Sequence, residues 1–135
     1  MSSADFPLDF ANLKLDPKPR RLLVLPADYR SSAKPNMISP VFECQSTDLL
    51  ELFGAVAMSQ PRVQLKAKND TQCEFVQSSA FFRFPDVITA EVMGMENGNS
   101  ALAVYSRAKV GHYDFKVNEK RVRSWIAMTQ ARLSG

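Results

Sequence analysis

Residues 87–105, VITAEVMGMENGNSALAVY, decide the fold. Residues 87–95 are rich in β-branched and apolar side chains, and residues 101–105 are apolar throughout. Glu96-Asn97-Gly98-Asn99 separates the two runs with an Asn-Gly pair that accepts the positive φ of a tight turn. The stretch reads as a β-hairpin. In its second arm Ala101, Ala103 and Tyr105 alternate with Leu102 and Val104, so both faces are apolar and the strand suits a central position covered on both sides.

Downstream of Val110-Gly111 the apolar period changes from two to about 3.6. Asn118, Val122, Trp125, Ile126, Thr129 and Leu133 then fall on one helical stripe, with Asp114 placed to cap the first turn. Upstream, Ser46 is a candidate cap for a helix over 47–58 that carries Leu49, Leu52, Phe53 and Val56 on one face, and Pro61 stops it. Val63, Leu65 and Ala67 alternate with Gln64 and Lys66, Asn69-Asp70 supplies a turn, and residues 73–78 return as a strand. The order strand, helix, four strands, helix predicts an α+β domain: a single antiparallel sheet of four to five strands with two helices packed on one face.

A chain of 135 residues is the length of one domain. Pro7, Pro17, Pro19, Pro26, Pro35 and Pro40 crowd the beginning, so residues 1–34 read as an extended proline-rich arm preceding a domain over 35–135. Leu22-Leu23-Val24-Leu25 is too apolar for a solvated tail, which favours an arm laid over the domain. No window approaches the roughly 20 apolar residues of a membrane span, and residues 1–10 lack the basic and apolar regions of a signal peptide. The expected location is therefore cytoplasmic or peripheral to a membrane. Cys44 and Cys73 have no CxxC spacing and read as small apolar residues on strand-like segments in a reduced compartment. Residues 14–34 carry six basic and two acidic side chains, residues 101–135 seven and two, and residues 35–100 four and eight, so the two ends form the basic regions.

Pro35-Asn36 followed by Ser39, then Ser79-Ala80-Phe81-Phe82-Arg83-Phe84-Pro85-Asp86, then Tyr105-Ser106-Arg107 with Gly111, Asp114, Val117-Asn118 and Arg121, resemble the domain of unknown function 1499 family over about residues 35–126. The resemblance implies a bacterial or plastid family whose members often carry a membrane anchor, and it implies no catalytic residue. These residues depart from the pattern in showing no anchor-length apolar window, so no anchor is expected, and in having His112, Tyr113 and Lys116 where an aromatic residue, a small polar residue and glycine are usual.

Several chemistries lack their framework. Ser106, His112 and either Asp86 or Asp114 are nominal triad ingredients, but no G-x-S-x-G elbow surrounds a serine and Ser106 sits late in a strand. One histidine and two distant cysteines do not make a metal site, and the scattered glycines form no phosphate loop, so neither metal nor cofactor is expected. Odd spacing turns Asp86 and Glu91 to opposite faces of a strand, against a paired-carboxylate mechanism. Lys116, Lys120 and Arg123 share an exposed helical face without an aromatic for base stacking, against nucleic acid.

What remains is a polar constellation. Arg83, Asp86, Ser106, Arg107, Asp114, Asn118 and Arg121 come from a hairpin turn, the end of the last strand and the start of the last helix. A structural network locking helix to sheet would satisfy them, since an unpaired buried amide costs on the order of 1–3 kcal/mol. If all converge, three arginines against two aspartates leave one guanidinium for an anionic group. Phe81, Phe82 and Phe84 cannot all point to one side of a strand, so Phe82 and Phe84 join the candidate site as apolar contacts unless the arm covers them. The expected function is a non-catalytic binding or accessory module for an anionic or amphiphilic ligand, or for a partner protein near a membrane. The alternatives are a hydrolase using Ser106 and His112 and a structural subunit of a membrane-associated assembly.

Overall fold

The computed structural model describes residues 6–135. Residues 1–5, the first part of the expected arm and of the stretch without signal-peptide character, lie outside the described residues. Among the described residues the chain forms β1 (Arg21–Leu25), β2 (Met37–Ile38), α1 (Ser46–Met58), β3 (Val63–Lys68), β4 (Gln72–Ser78), β5 (Pro85–Gly94), β6 (Ser100–Ala108) and α2 (Val117–Ser134).

The α+β class and the two helices stand, and the sheet needs two corrections. It has six strands, in the order β2-β1-β6-β5-β4-β3, and it is mixed, because β1 and β2 run parallel while the other pairs are antiparallel. One added strand comes from the segment expected to be an arm. Leu22 to Leu25 are buried, and Leu22↔Ser106 and Val24↔Val104 align β1 with β6. Pro26 ends β1, and the chain returns to lay Met37 beside Val24. Asn36 supports that return twice: its Oδ1 accepts from Leu23 N at 2.8 Å and its own N–H donates to Leu23 O at 2.8 Å.

The expected β5–β6 hairpin forms, with Gly94 opposite Ser100. Asn97 (φ 63°) and Gly98 (φ 75°) both take the left-handed conformation that the Asn-Gly pair allows. Every residue of β6 is buried, since the strand lies between β1 and β5 with both faces covered. Period two sorts the side chains. Leu102 and Val104 join Leu22, Val24, Phe75 and Ile88 in a cluster beneath the two helices, while Ala103 and Tyr105 join Leu23, Leu25, Phe10 and Leu13 on the opposite face. Residues 6–17 thus close the face away from the helices. Gln72 clasps them by donating to Leu8 O and accepting from Leu8 N, and Tyr105 Oη accepts from Asp16 N at 2.8 Å.

In α1, Leu49, Leu50, Phe53, Val56 and Ala57 are buried. Ser46 is the first helical residue and not the cap, and Gln45 precedes it without a side-chain capping bond. On α2 the expected stripe faces the sheet, and Trp125 meets Phe53 and Phe75 edge-on at centroid distances of 5.9 and 6.3 Å. Cys44 lies in the bend before α1, outside any strand. Cys73 is buried in β4, and burial pushes its thiol up to about 12. Thiolate is the reactive form, so iodoacetamide at about pH 8 should modify Cys44 alone in the folded chain, and Cys73 only after denaturation. Intact-mass measurement checks this, and rapid double labelling of native protein would contradict it.

Candidate functional site

One end of the sheet, where β4 passes to β5 and β6 passes to α2, gathers most of the residues that the sequence singles out. Asp86, Ser106 and Gln77 point to the helix side of the sheet, and Asn118 and Arg121 approach them from the first turns of α2. The Arg121 guanidinium donates through Nε to Gln77 Oε1 (2.6 Å), through Nη1 to Asn118 Oδ1 (2.7 Å) and Ser106 Oγ (3.2 Å), and through Nη2 to Asp86 Oδ2 (2.9 Å). Ser106 Oγ in turn donates to Asn118 Oδ1 at 2.5 Å. Asn118 Nδ2 donates to Asp114 Oδ2 (2.8 Å) and to Arg20 O (3.2 Å). Each member therefore meets the requirement that a buried polar group find partners.

Asp114 does the capping expected of it from two residues ahead of the nominal cap. Its carboxylate accepts from the backbone N–H of Lys116 and of Asn118. This orders the left-handed Phe115-Lys116 pair (φ 52° and 65°) that turns the chain into α2. Arg20 fixes the same loop from below by donating to Gly111 O at 2.8 Å.

The three arginines do not converge, and the expectation of an unmatched guanidinium at the start of α2 is corrected. Arg107 neighbours Ser106 in β6, so it must face the other way. There it donates to Thr89 Oγ1 and Tyr105 O, lies 3.8 Å from Glu74 Oε1, and covers the Tyr105 ring at 4.6 Å. Arg121 is matched to Asp86, with both side chains largely shielded at 8% and 13% exposure. Arg83 sits in the exposed turn between β4 and β5 in a left-handed conformation (φ 58°). Phe81, Phe82 and Phe84 on that turn are exposed, because the segment expected to cover them lies on the opposite sheet face.

Above the polar network opens a cleft of about 290 Å³ between the two loops. Its apolar wall is Phe84, Val110, Tyr113 and Val117, its floor is Gln77, Asp86, Asp114 and Arg121, and Arg62 stands at its edge, tied to Ser78 O by its Nε at 2.8 Å. Arg62, Gln77, Val110, Tyr113 and Val117 are additions to the sequence-derived site. Gln77 was findable from its parity with Cys73 and Phe75 in one strand, and Tyr113 from being an aromatic residue in a polar loop.

A family model described as Protein of unknown function (DUF1499) matches residues 14–128. The chain belongs to this family. The DUF1499 match begins ahead of β1 and runs through most of α2, so the strand within the proline-rich segment and the polar network both fall inside it. No curated protein matches the chain.

Ser106 is wholly buried with its hydroxyl engaged by Asn118 and Arg121, while His112 is exposed on the loop with its ring edge-on to Tyr113. Among the described residues no three of His, Cys, Asp and Glu stand close enough to hold a metal ion, and no helix is long and apolar enough to cross a membrane.

Proposed function

We propose that this protein is a non-catalytic binding module that accepts an amphiphilic ligand in the cleft between the β4–β5 and β6–α2 loops. The ligand's apolar part lies on Phe84, Val110, Tyr113 and Val117, and its anionic group meets Arg62 at the edge. One observation carries this reading: four apolar side chains, each about half exposed, wall a cleft whose polar floor is already hydrogen-bonded within the protein. Apolar surface held open above a rigid floor is the makeup of a ligand site. The cleft's size, near the lower end of ligand sites, suits a single chain or ring.

The reading is tested by calorimetric titration with dodecyl phosphate below its micelle concentration. Saturable binding at one site is expected. Phe84→Ser with Tyr113→Ser should weaken it about tenfold or more, since each aromatic ring contributes about 1.5–3 kcal/mol on full burial. Arg62→Gln should weaken dodecyl phosphate but leave dodecanol unchanged. Absence of saturable binding, or affinity indifferent to the wall residues, contradicts the reading.

A further inference from the structure

Among the described residues every exposed aromatic side chain lies on the same two loops. Three of them do not line the cleft: Phe81 is 92% exposed, Phe82 77% and Phe115 83%. The loops are neighbours, since Lys109 N donates to Pro85 O at 3.1 Å and Asp86 pairs with Ala108. The exposed charge beside the tips is mainly cationic. Arg83, Lys109 and Lys116 are exposed, whereas Asp114 is turned inward onto Lys116 N and Asn118, and Asp86 is bonded to Arg121.

We infer that Phe81, Phe82 and Phe115 enter the interfacial layer of an anionic lipid bilayer, with Arg83, Lys109 and Lys116 on its head groups. Aromatic rings at the tips of separate turns offer a folded partner little continuous area, whereas a fluid interface closes around each ring. Three exposed cations, set against the one half-exposed acid Glu119 that is itself paired with Arg123 at 3.2 Å, match an anionic surface, whose pull is long-ranged and weakened by salt. The inference goes beyond the cleft's ligand, because the tip residues and the cleft wall are different side chains and can be altered separately.

The test is flotation of the full chain with vesicles of mixed phosphatidylglycerol and phosphatidylcholine, against vesicles of phosphatidylcholine alone. Binding to the anionic vesicles is expected, with weaker binding to the neutral ones and at about 0.5 M salt. Phe81→Ser with Phe115→Ser should lower partitioning about tenfold while leaving circular dichroism and dodecyl phosphate affinity unchanged. Lys109→Gln with Lys116→Gln should also lower it. No binding to anionic vesicles, or binding that survives loss of the two phenylalanines, overturns the inference. Loss of dodecyl phosphate binding with vesicle binding intact overturns the cleft reading alone.

Discussion

Arg121→Met lowers the free energy of unfolding by about 3–5 kcal/mol, the expected cost of removing one partner from a shielded ion pair. The substitution strips Asp86 of its cation, leaves Gln77 Oε1 without the donor that holds it, and leaves Asn118 Oδ1 with Ser106 Oγ as its remaining donor. Methionine fills the volume, so the loss reflects unsatisfied polar atoms and not a cavity. Against a total stability of about 5–15 kcal/mol for a domain, that is a large fraction. Arg83→Ala, on the exposed turn, should stay within about 0.5 kcal/mol. Urea unfolding of the three proteins reads both effects. A loss under about 1 kcal/mol for Arg121→Met would mean that the network contributes little to folding.

Trp125→Ala is the second large effect, expected at about 3–5 kcal/mol and a fall in Tm of roughly 10–15 °C. Trp125 is buried where α2 crosses the sheet, edge-on to Phe53 of α1 and Phe75 of β4, so one side chain joins both helices to the sheet. Truncation leaves a cavity that three separate elements would have to collapse to fill. Trp125→Phe keeps most of the volume and should recover more than half of the loss. A Tm for Trp125→Ala within a few degrees of the parent would contradict this account of the core.

Much of the second half of the fold was legible because its signals are local. The 87–105 hairpin is announced by its own Asn-Gly turn, and α2 by a stripe that repeats over about four turns. β1 is not local in this sense. Its partner β6 lies some eighty residues onward, its other partner β2 is two residues long, and the prolines on both sides of Leu22–Leu25 gave the segment the look of an arm. Nothing near β1 in the chain says that the sheet has a place for it.

The site divides in the same way. Ser106, Asp114, Asn118 and Arg121 meet because a strand end and a helix start adjoin in sequence, and the hairpin pairing of Asp86 with Ala108 brings Asp86 to them. Arg107 does not join them, because period two turns it away from its neighbour Ser106. Arg83 depended on the path of a turn, which alternation does not determine. The exposed phenylalanines were legible as a conflict with strand geometry, but which face the first residues of the chain cover is a tertiary fact.

Titration of isotopically labelled protein with dodecyl phosphate, followed by amide NMR, bears most directly on assigning the cleft as the ligand site above a structural network. Shifts confined to Arg62 and to residues 77–86 and 108–121, saturating together, are expected. Saturating shifts centred on the groove between α1 and β3, or no saturating shifts at all, would contradict it.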